Sequence, residues 1–305
     1  MPDKVIISGG TGLIGSHLSK KFTDKGCEVF ILTRSPGEYS SPSENIKYIK
    51  WDLNVNNENY KELFENAKTV MNLAGASVGG KRWTEEFKKV LYDSRIKTTR
   101  KLVDIINLCT KPPECLLSAS GTGAYYDGGD NIITEESPLG NDFLANLCRD
   151  WENEARKAEA KGVRVIISRN GVVLDKNEGA LPELIRPFKF FVGGYLGKGD
   201  QWFPWIHIED MINLSVWAIE SGVSGVINIT SPFPETNKNF SKKLAKAIHR
   251  PFLFGVPTFA LKIVLGEFAE TLLASQRVVP DRALKDGFKF EFDTLDKALN
   301  NLLSK

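Results

Sequence analysis

One stretch near the start of the chain limits the fold more than any other: Val5-Ile6-Ile7-Ser8-Gly9-Gly10-Thr11-Gly12-Leu13-Ile14-Gly15-Ser16-His17-Leu18. Val5, Ile6 and Ile7 make a short buried strand. Gly9, Gly12 and Gly15 follow at three-residue spacing, and Leu13, Ile14 and Leu18 open a helical face. A strand, a glycine turn and a helix start, in that order, begin a parallel α/β sheet and supply what a dinucleotide pyrophosphate needs. Gly9 permits the tight turn, Gly12 lets backbone N–H groups approach phosphate, and Gly15 lets the helix lie against the strand. The helix start adds unpaired N–H donors and a positive dipole end. Gly9, Thr11, Gly12, Leu13 and Ile14 are therefore the expected phosphate-side contacts.

The 305 residues suffice for one large α/β domain with a smaller appendage. The formal net charge of +2 gives no electrostatic call to nucleic acid or to a membrane. No apolar run approaches the roughly 18 residues of a membrane span. The first strand begins almost at once, so no signal peptide is expected. Cys27, Cys109, Cys115 and Cys148 form no C-x-x-C pair and no cluster with metal-ligand spacing. They read as small buried apolar residues in a reducing compartment, and no metal is expected. A cytoplasmic protein acting on a small molecule, as a monomer or homodimer, is the expectation.

Gly26 ends the first helix, and Glu28–Thr33 form the second strand. In this fold an Asp or Glu at the end of strand two bonds the adenosine ribose and selects NAD, whereas an Arg there accepts the 2′-phosphate of NADP. The end here reads Thr33-Arg34-Ser35, which points to NADP. A third strand, 46–51, is followed by Asp52, placed for the adenine edge. A fourth strand, 69–73, runs into Ala74-Gly75, small residues that let ribose and phosphates pass close to backbone.

A long helix over 84–109 carries Arg95 and is preceded by Lys81-Arg82-Trp83. A fifth strand, 114–118, runs into Ala119-Ser120-Gly121-Thr122-Gly123-Ala124-Tyr125-Tyr126. Hydroxyls at the carboxyl end of a parallel strand stand where such sheets hold substrates. The segment carries few bulky apolar residues, so a pocket role is expected for Tyr125 or Tyr126. A helix over 141–161, a sixth strand over 163–168, a helix over 180–191, and a segment running from Gln201-Trp202 to Trp205-Ile206-His207 follow. His207 is read as a structural histidine pinning this segment against the helix at 210–221. A last strand, 226–229, closes the sheet. Residues 1–231 read as a dinucleotide-binding domain of the doubly wound parallel type, and 232–305 as a smaller, mostly helical lid over the strand ends.

These residues together resemble the extended short-chain dehydrogenase/reductase superfamily: Ser8-Gly9-x-x-Gly12-x-x-Gly15, Asn72-Leu73-Ala74-Gly75, Ser118-Ala119-Ser120 and Ile206-His207-Ile208-Glu209-Asp210. Within it, the chain is similar to an atypical epimerase-like group. The marks are Arg82-Trp83-Thr84, Ser94-Arg95-Ile96, Phe143-Leu144-Ala145 with Trp151-Glu152, and Arg169-x-Gly171-Val172-Val173-Leu174. Gly197-x-Gly199-x-Gln201 and a C-terminal module from Val256-Pro257 to Gly287-Phe288-x-Phe290 complete the set. The resemblance implies NADP binding. Thr33 and Arg34 would hold the 2′-phosphate, and Leu73 and Ala74 would line the cofactor's path. Arg95 would contact its phosphates or ribose, and Gly171-Val172 would lie near the nicotinamide.

The superfamily's Tyr-x-x-x-Lys acid–base pair is missing: no tyrosine is followed by lysine four residues on. Counting back from Glu152, those slots hold Leu144 and Cys148. Two functions fit. One is an NADP-dependent oxidoreductase or epimerase with a relocated acid, Tyr125 or Tyr126, assisted by Ser118 or Ser120, with a substrate pocket shaped by Arg82, Gln201, Trp202 and Trp205. The other is a non-catalytic NADP(H)-binding sensor or scaffold.

Overall fold

The computed structural model describes residues 2–40 and 43–304. Its centre is a seven-stranded sheet. Five strands come from the first half of the chain: β1 (Lys4–Ser8), β2 (Glu28–Thr33), β3 (Ile46–Lys50), β4 (Thr69–Asn72) and β5 (Cys115–Gly121). The strands Arg164–Asn170 and Gly225–Ile229 complete it. The order β3-β2-β1-β4-β5 continues through Arg164–Asn170 to Gly225–Ile229, and every pairing is parallel. The order reverses between β1 and β4, and the carboxyl ends on either side of that reversal form a crevice.

Parallel strands buried on both faces need apolar residues at successive positions, and β1 shows this. Val5 and Ile7 face one layer, with Val29, Ile31, Met71, Leu117, Ile166 and Ile227. Ile6 faces the other, with Leu32, Val70, Leu116, Val165 and Ile167. The first layer is closed by α1 (Leu13–Asp24), through Leu18 and Phe22, and by a helix at Ile208–Glu220. The second is closed by α2 (Glu58–Phe64) and α3 (Glu85–Leu108), through Tyr60, Phe64, Leu102, Val103, Ile105 and Ile106.

Local signals explain most boundaries. Lys25 caps α1 and Gly26 follows at φ +83°, as a C′ glycine does. Thr84 accepts the N–H of Phe87 at the start of α3. Asp142 accepts the N–H of Ala145 at the start of α4 (Phe143–Arg156). The helix expected to reach 161 stops at Arg156 and tightens into a 3₁₀ segment, Lys157–Lys161, before Gly162 at φ +75°. The next helices are α5 (Ala180–Lys189), α6 (Ile208–Glu220) and α7 (Asn237–Ala247). The stretch 258–273 folds not as one continuous helix but as two, α8 (Thr258–Leu265) and α9 (Phe268–Leu273). Gly266 breaks it at φ +63°, with its backbone packed against Arg82, where a Cβ would lie 2.9 Å from the guanidinium Nε.

Residues beyond 231 reach the loop after β4, enter the core, and extend to the amino end of the strand Gly225–Ile229, where Arg282 bonds the Ser224 and Val226 carbonyls. Arg82 donates to the Ile263 carbonyl at 3.0 Å, and Trp83 packs on Phe268. Phe292, Leu295, Leu299 and Leu302 belong to the same apolar cluster as Val5 and Ile7.

Candidate functional site

At the β1–α1 turn, Gly9 adopts φ +79° and accepts the N–H of Gly12 at 3.1 Å. A Cβ on Gly9 would lie 2.8 Å from the Ala74 nitrogen, and one on Gly15 would lie 2.3 Å from the Gly9 carbonyl oxygen. Any larger residue would therefore separate β1 from β4, or α1 from the turn. Gly12 differs: a Cβ there meets nothing nearer than 3.5 Å, so its lack of a side chain leaves room on the solvent side. Gly12 is also the N-cap of α1, with no side-chain cap and no acidic residue in the first turn. The first N–H groups of α1 are thus free for an anion. Thr11 and Gly12 are exposed, while Leu13 and Ile14 are half-buried.

The other cofactor residues lie along the same carboxyl edge. Leu73, Ala74 and Gly75 follow β4, the first two against Gly9 and Gly75 against Arg95. Thr33 ends β2, its Oγ1 accepting the Ser35 N–H at 3.5 Å. Arg34 is exposed and makes no ion pair among the described residues. Asp52 follows β3, with its N–H on the Tyr60 hydroxyl and its Oδ1 accepting from Asn54.

Arg95 is a mostly buried cation with only neutral partners. It donates to the Leu91 carbonyl at 3.1 Å and the Ala76 carbonyl at 3.0 Å. Its guanidinium lies 5.1 Å from the centre of the Trp151 ring and packs against Gly75. Burial lowers its pKa, and no carboxylate offsets that cost. An anion arriving beside Gly75 would supply the missing charge. Gly171 and Val172 are half-buried at the end of Arg164–Asn170, with Val172 bonded to the Pro204 carbonyl.

Sequence reasoning missed Lys101. Its Nζ donates to the Val55 carbonyl at 2.5 Å and to Asn57 Oδ1 at 3.0 Å, beneath the rings of Trp51 and Tyr60. It holds the turn that carries Asp52, and burial lowers its pKa. The signal was weak: one lysine on an otherwise apolar face of a long helix.

The expected catalytic residues are distributed differently. Ser118 is fully buried and accepts from Asn72 Nδ2 at 3.1 Å, so it braces β4 and β5 instead of facing a substrate. Ser120 donates to Glu152 Oε1 at 2.7 Å, and Glu152 takes two bonds, at 2.8 and 2.7 Å, from Arg169. Arg169 stands 4.7 Å from the Tyr125 ring centre. Tyr125 is 1% exposed and donates to Asn228 Oδ1 at 2.7 Å, and burial pushes its pKa up to about 12. The pocket role expected for Tyr125 is therefore corrected. The short strands Ile132–Ile133 and Arg277–Val278 pair over it and complete a core layer that its own segment lacks. Tyr126 stays half-buried at the surface. Cys148, in the slot of the missing lysine, is a buried thiol raised to about 11 by desolvation.

The expected substrate lining also divides. Trp205 is a core residue with no exposure. Gln201 is buried, its amide bonded to the Leu196 and Leu272 carbonyls. Both are corrected to structural roles. Trp202 remains half-exposed, bonded to Asp130 and covered by Arg277 at 4.4 Å. Arg82 is exposed on the loop after β4. His207 is structural, as read: its Nδ1 accepts the Glu209 N–H at the start of α6, its Nε2 faces Asn301 Oδ1 at 3.1 Å, and its ring stacks on Phe292. Burial lowers its pKa to about 4, so the ring is neutral. The described residues hold no cluster suited to a metal ion.

A doubly wound parallel sheet with a glycine cradle at its switch point defines a nicotinamide-dinucleotide-binding protein of the extended short-chain dehydrogenase/reductase type. The chain belongs to the NAD dependent epimerase/dehydratase family, which it matches over residues 5–230. Residues 256–302 match a domain of unknown function, DUF1731. The epimerase family protein YfhF of Bacillus subtilis is 37% identical over 302 residues, covering 98% of both chains. The crystal structure of human epimerase family protein SDR39U1 with NADPH superposes with a TM-score of 0.85 at 30% identity, covering 98% of this chain and 99% of that one. A nucleoside-diphosphate sugar epimerase from Corynebacterium glutamicum gives a TM-score of 0.78 at 32% identity, covering 99% of this chain and 58% of that one.

Proposed function

We propose that this chain is an NADP(H)-dependent oxidoreductase acting on a small molecule. The observation that carries the cofactor preference is Arg34: an exposed guanidinium at the end of β2, free of ion pairs among the described residues, where an NAD site has a carboxylate. The human neighbour solved with NADPH supports the same reading. Gly9–Ile14 would hold the pyrophosphate, Arg95 would balance anionic charge beside Gly75, and Thr33 with Arg34 would take the 2′-phosphate. When bound, the cofactor supplies or accepts a hydride. Tyr126 is the remaining candidate for the proton, since the Tyr125, Ser118 and Ser120 hydroxyls are engaged inside the protein.

A second reading, a non-catalytic NADP(H) sensor, is favoured by one observation: Leu144 and Cys148 occupy the slots of the acid–base pair. Two measurements test these readings. Calorimetry with NADPH and NADH should find Arg34→Ala weakening NADPH selectively, by about 1.5–3 kcal/mol for a charge-assisted contact. Equal loss for both dinucleotides overturns the preference. Stopped-flow absorbance of bound NADPH against a carbonyl library should find an acceptor and a slower rate in Tyr126→Phe. If no compound oxidises the cofactor, the sensor reading replaces the oxidoreductase one.

A further inference from the structure

The net charge of +2 hides a local imbalance at one edge of the molecule. Beyond α5 the chain runs beside the segment that precedes α8. The Leu253 N–H bonds the Gly193 carbonyl at 3.0 Å, and the Val256 N–H bonds the Tyr195 carbonyl at 2.7 Å. Phe190, Phe191, Val192 and Phe254 are brought together there, each between 58% and 88% exposed. Phe191 holds φ +60°, a strained conformation for a bulky residue. α8 begins shortly after, and Leu261 is its one buried residue, while Phe259, Ile263 and Val264 face solvent. Consecutive exposed apolar side chains of this size mark a surface that something covers.

The charges beside these side chains indicate what covers them. Of the carboxylates on residues 183–200 and 246–270, Glu183 pairs with Arg186, Glu267 with Lys88 and Glu270 with Lys262, leaving Asp200. Lys189, Lys198, Lys246 and Arg250 are exposed and form no ion pair among the described residues. The Arg250 guanidinium stands 5.1 Å from the Phe191 ring centre, so cation and apolar tip share one place. A second copy docked on this edge would set these cations against one another. An anionic lipid surface would neutralise them.

We propose that this edge docks peripherally on an anionic bilayer. The apolar tips enter the boundary between headgroups and acyl chains, and Lys189, Lys198, Lys246 and Arg250 meet lipid phosphates. The contact is interfacial, since no helix among the described residues is long and apolar enough to cross a membrane. It is independent of whether the dinucleotide site turns over.

The full chain is sedimented with vesicles of phosphatidylcholine alone and with vesicles of phosphatidylcholine and phosphatidylglycerol in a two-to-one ratio. Binding to the mixed vesicles should be at least roughly tenfold tighter and should weaken with added salt. The pair Phe190→Ser and Phe254→Ser should abolish binding. The pair Lys189→Glu and Arg250→Glu should abolish the preference for the mixed vesicles. All four changes are at exposed positions, so both double variants should keep the parent melting curve. The proposal is overturned if the mixed vesicles bind nothing, or if both double variants bind as the parent does. It is also overturned if the parent is a dimer in sedimentation equilibrium and the Phe190/Phe254 variant is a monomer, which makes the edge a contact between copies.

Discussion

Glu152 and Arg169 form a buried ion pair with 5% side-chain exposure on each partner, and Ser120 completes the carboxylate's bonding. Removing one member leaves the other charge buried and unpaired, which costs more than the pair itself contributes. Glu152→Gln should therefore destabilise by about 3–5 kcal/mol in urea unfolding, and adding Arg169→Met should recover part of the loss. A loss in the double variant equal to the sum of the single losses would show that the two side chains do not act as a pair. Residues whose roles depend on backbone close to them in sequence were legible from the sequence: Gly9, Gly12 and Gly15, and the position of Arg34 after β2. Tyr125 was not, because what buries it arrives from far along the chain. Gln276, which donates to the Tyr125 carbonyl, lies 151 positions away. Trp205 failed for a related reason. An aromatic-rich segment reads alike whether it lines a pocket or, as here, pairs with Val172–Leu174 inside the core.

The helix α6 shows how an element is tied at both the backbone and side-chain level. His207 caps it through Nδ1, and Asp210, one turn in, accepts the N–H groups of Glu291 and Phe292 at 2.9 Å each. The cap works only while the imidazole is neutral, because Nδ1 must accept. Burial holds the His207 pKa at about 4, against 6.5 for the free side chain. The unfolded chain therefore takes up the proton first as pH falls. The stability is fully present above about pH 6.5 and drains as pH drops toward 4. Between pH 7 and pH 5 the loss should be about 2 kcal/mol, read from unfolding midpoints, and His207→Asn should flatten that slope. An unchanged slope in the variant would assign the acid sensitivity to other groups. The sequence places this helix at 210–221, and it starts two residues earlier because the His207 imidazole acts as its cap. Helix ends at α4 and α8 were not legible, because 3₁₀ tightening and the break at Gly266 follow from tertiary contacts.

Across the whole molecule, the segment beyond 231 is joined to the sheet domain through the core as well as over its rim. Leu295, Leu299 and Leu302 of the last helix, Leu295–Leu303, share an apolar cluster with Val5, Ile7 and Val29. Calorimetry should show a single cooperative transition for the full chain, and deletion of residues 256–302 should abolish it instead of removing an independent peak. Two separable transitions would mean that the segment is a self-contained unit. The change of pattern near 232 was visible in the sequence, where Pro232, Pro234, Pro251, Pro257 and Pro280 punctuate short helical stretches. The shared core was not, because the apolar face of the last helix reads alike whether it covers its own small unit or the central sheet.

This sharing of one core by the first strand and the last helix also sets a timetable for synthesis. β1 leaves the ribosome first, yet the apolar layer that holds Val5 and Ile7 also needs the helix Ile208–Glu220, and it is complete only when the last helix adds Leu299 and Leu302 near the end of translation. Pairings this distant carry a high loop-closure cost and form slowly. The nascent chain therefore carries an uncovered sheet face for most of its elongation, when it is most exposed to aggregation and most dependent on chaperones.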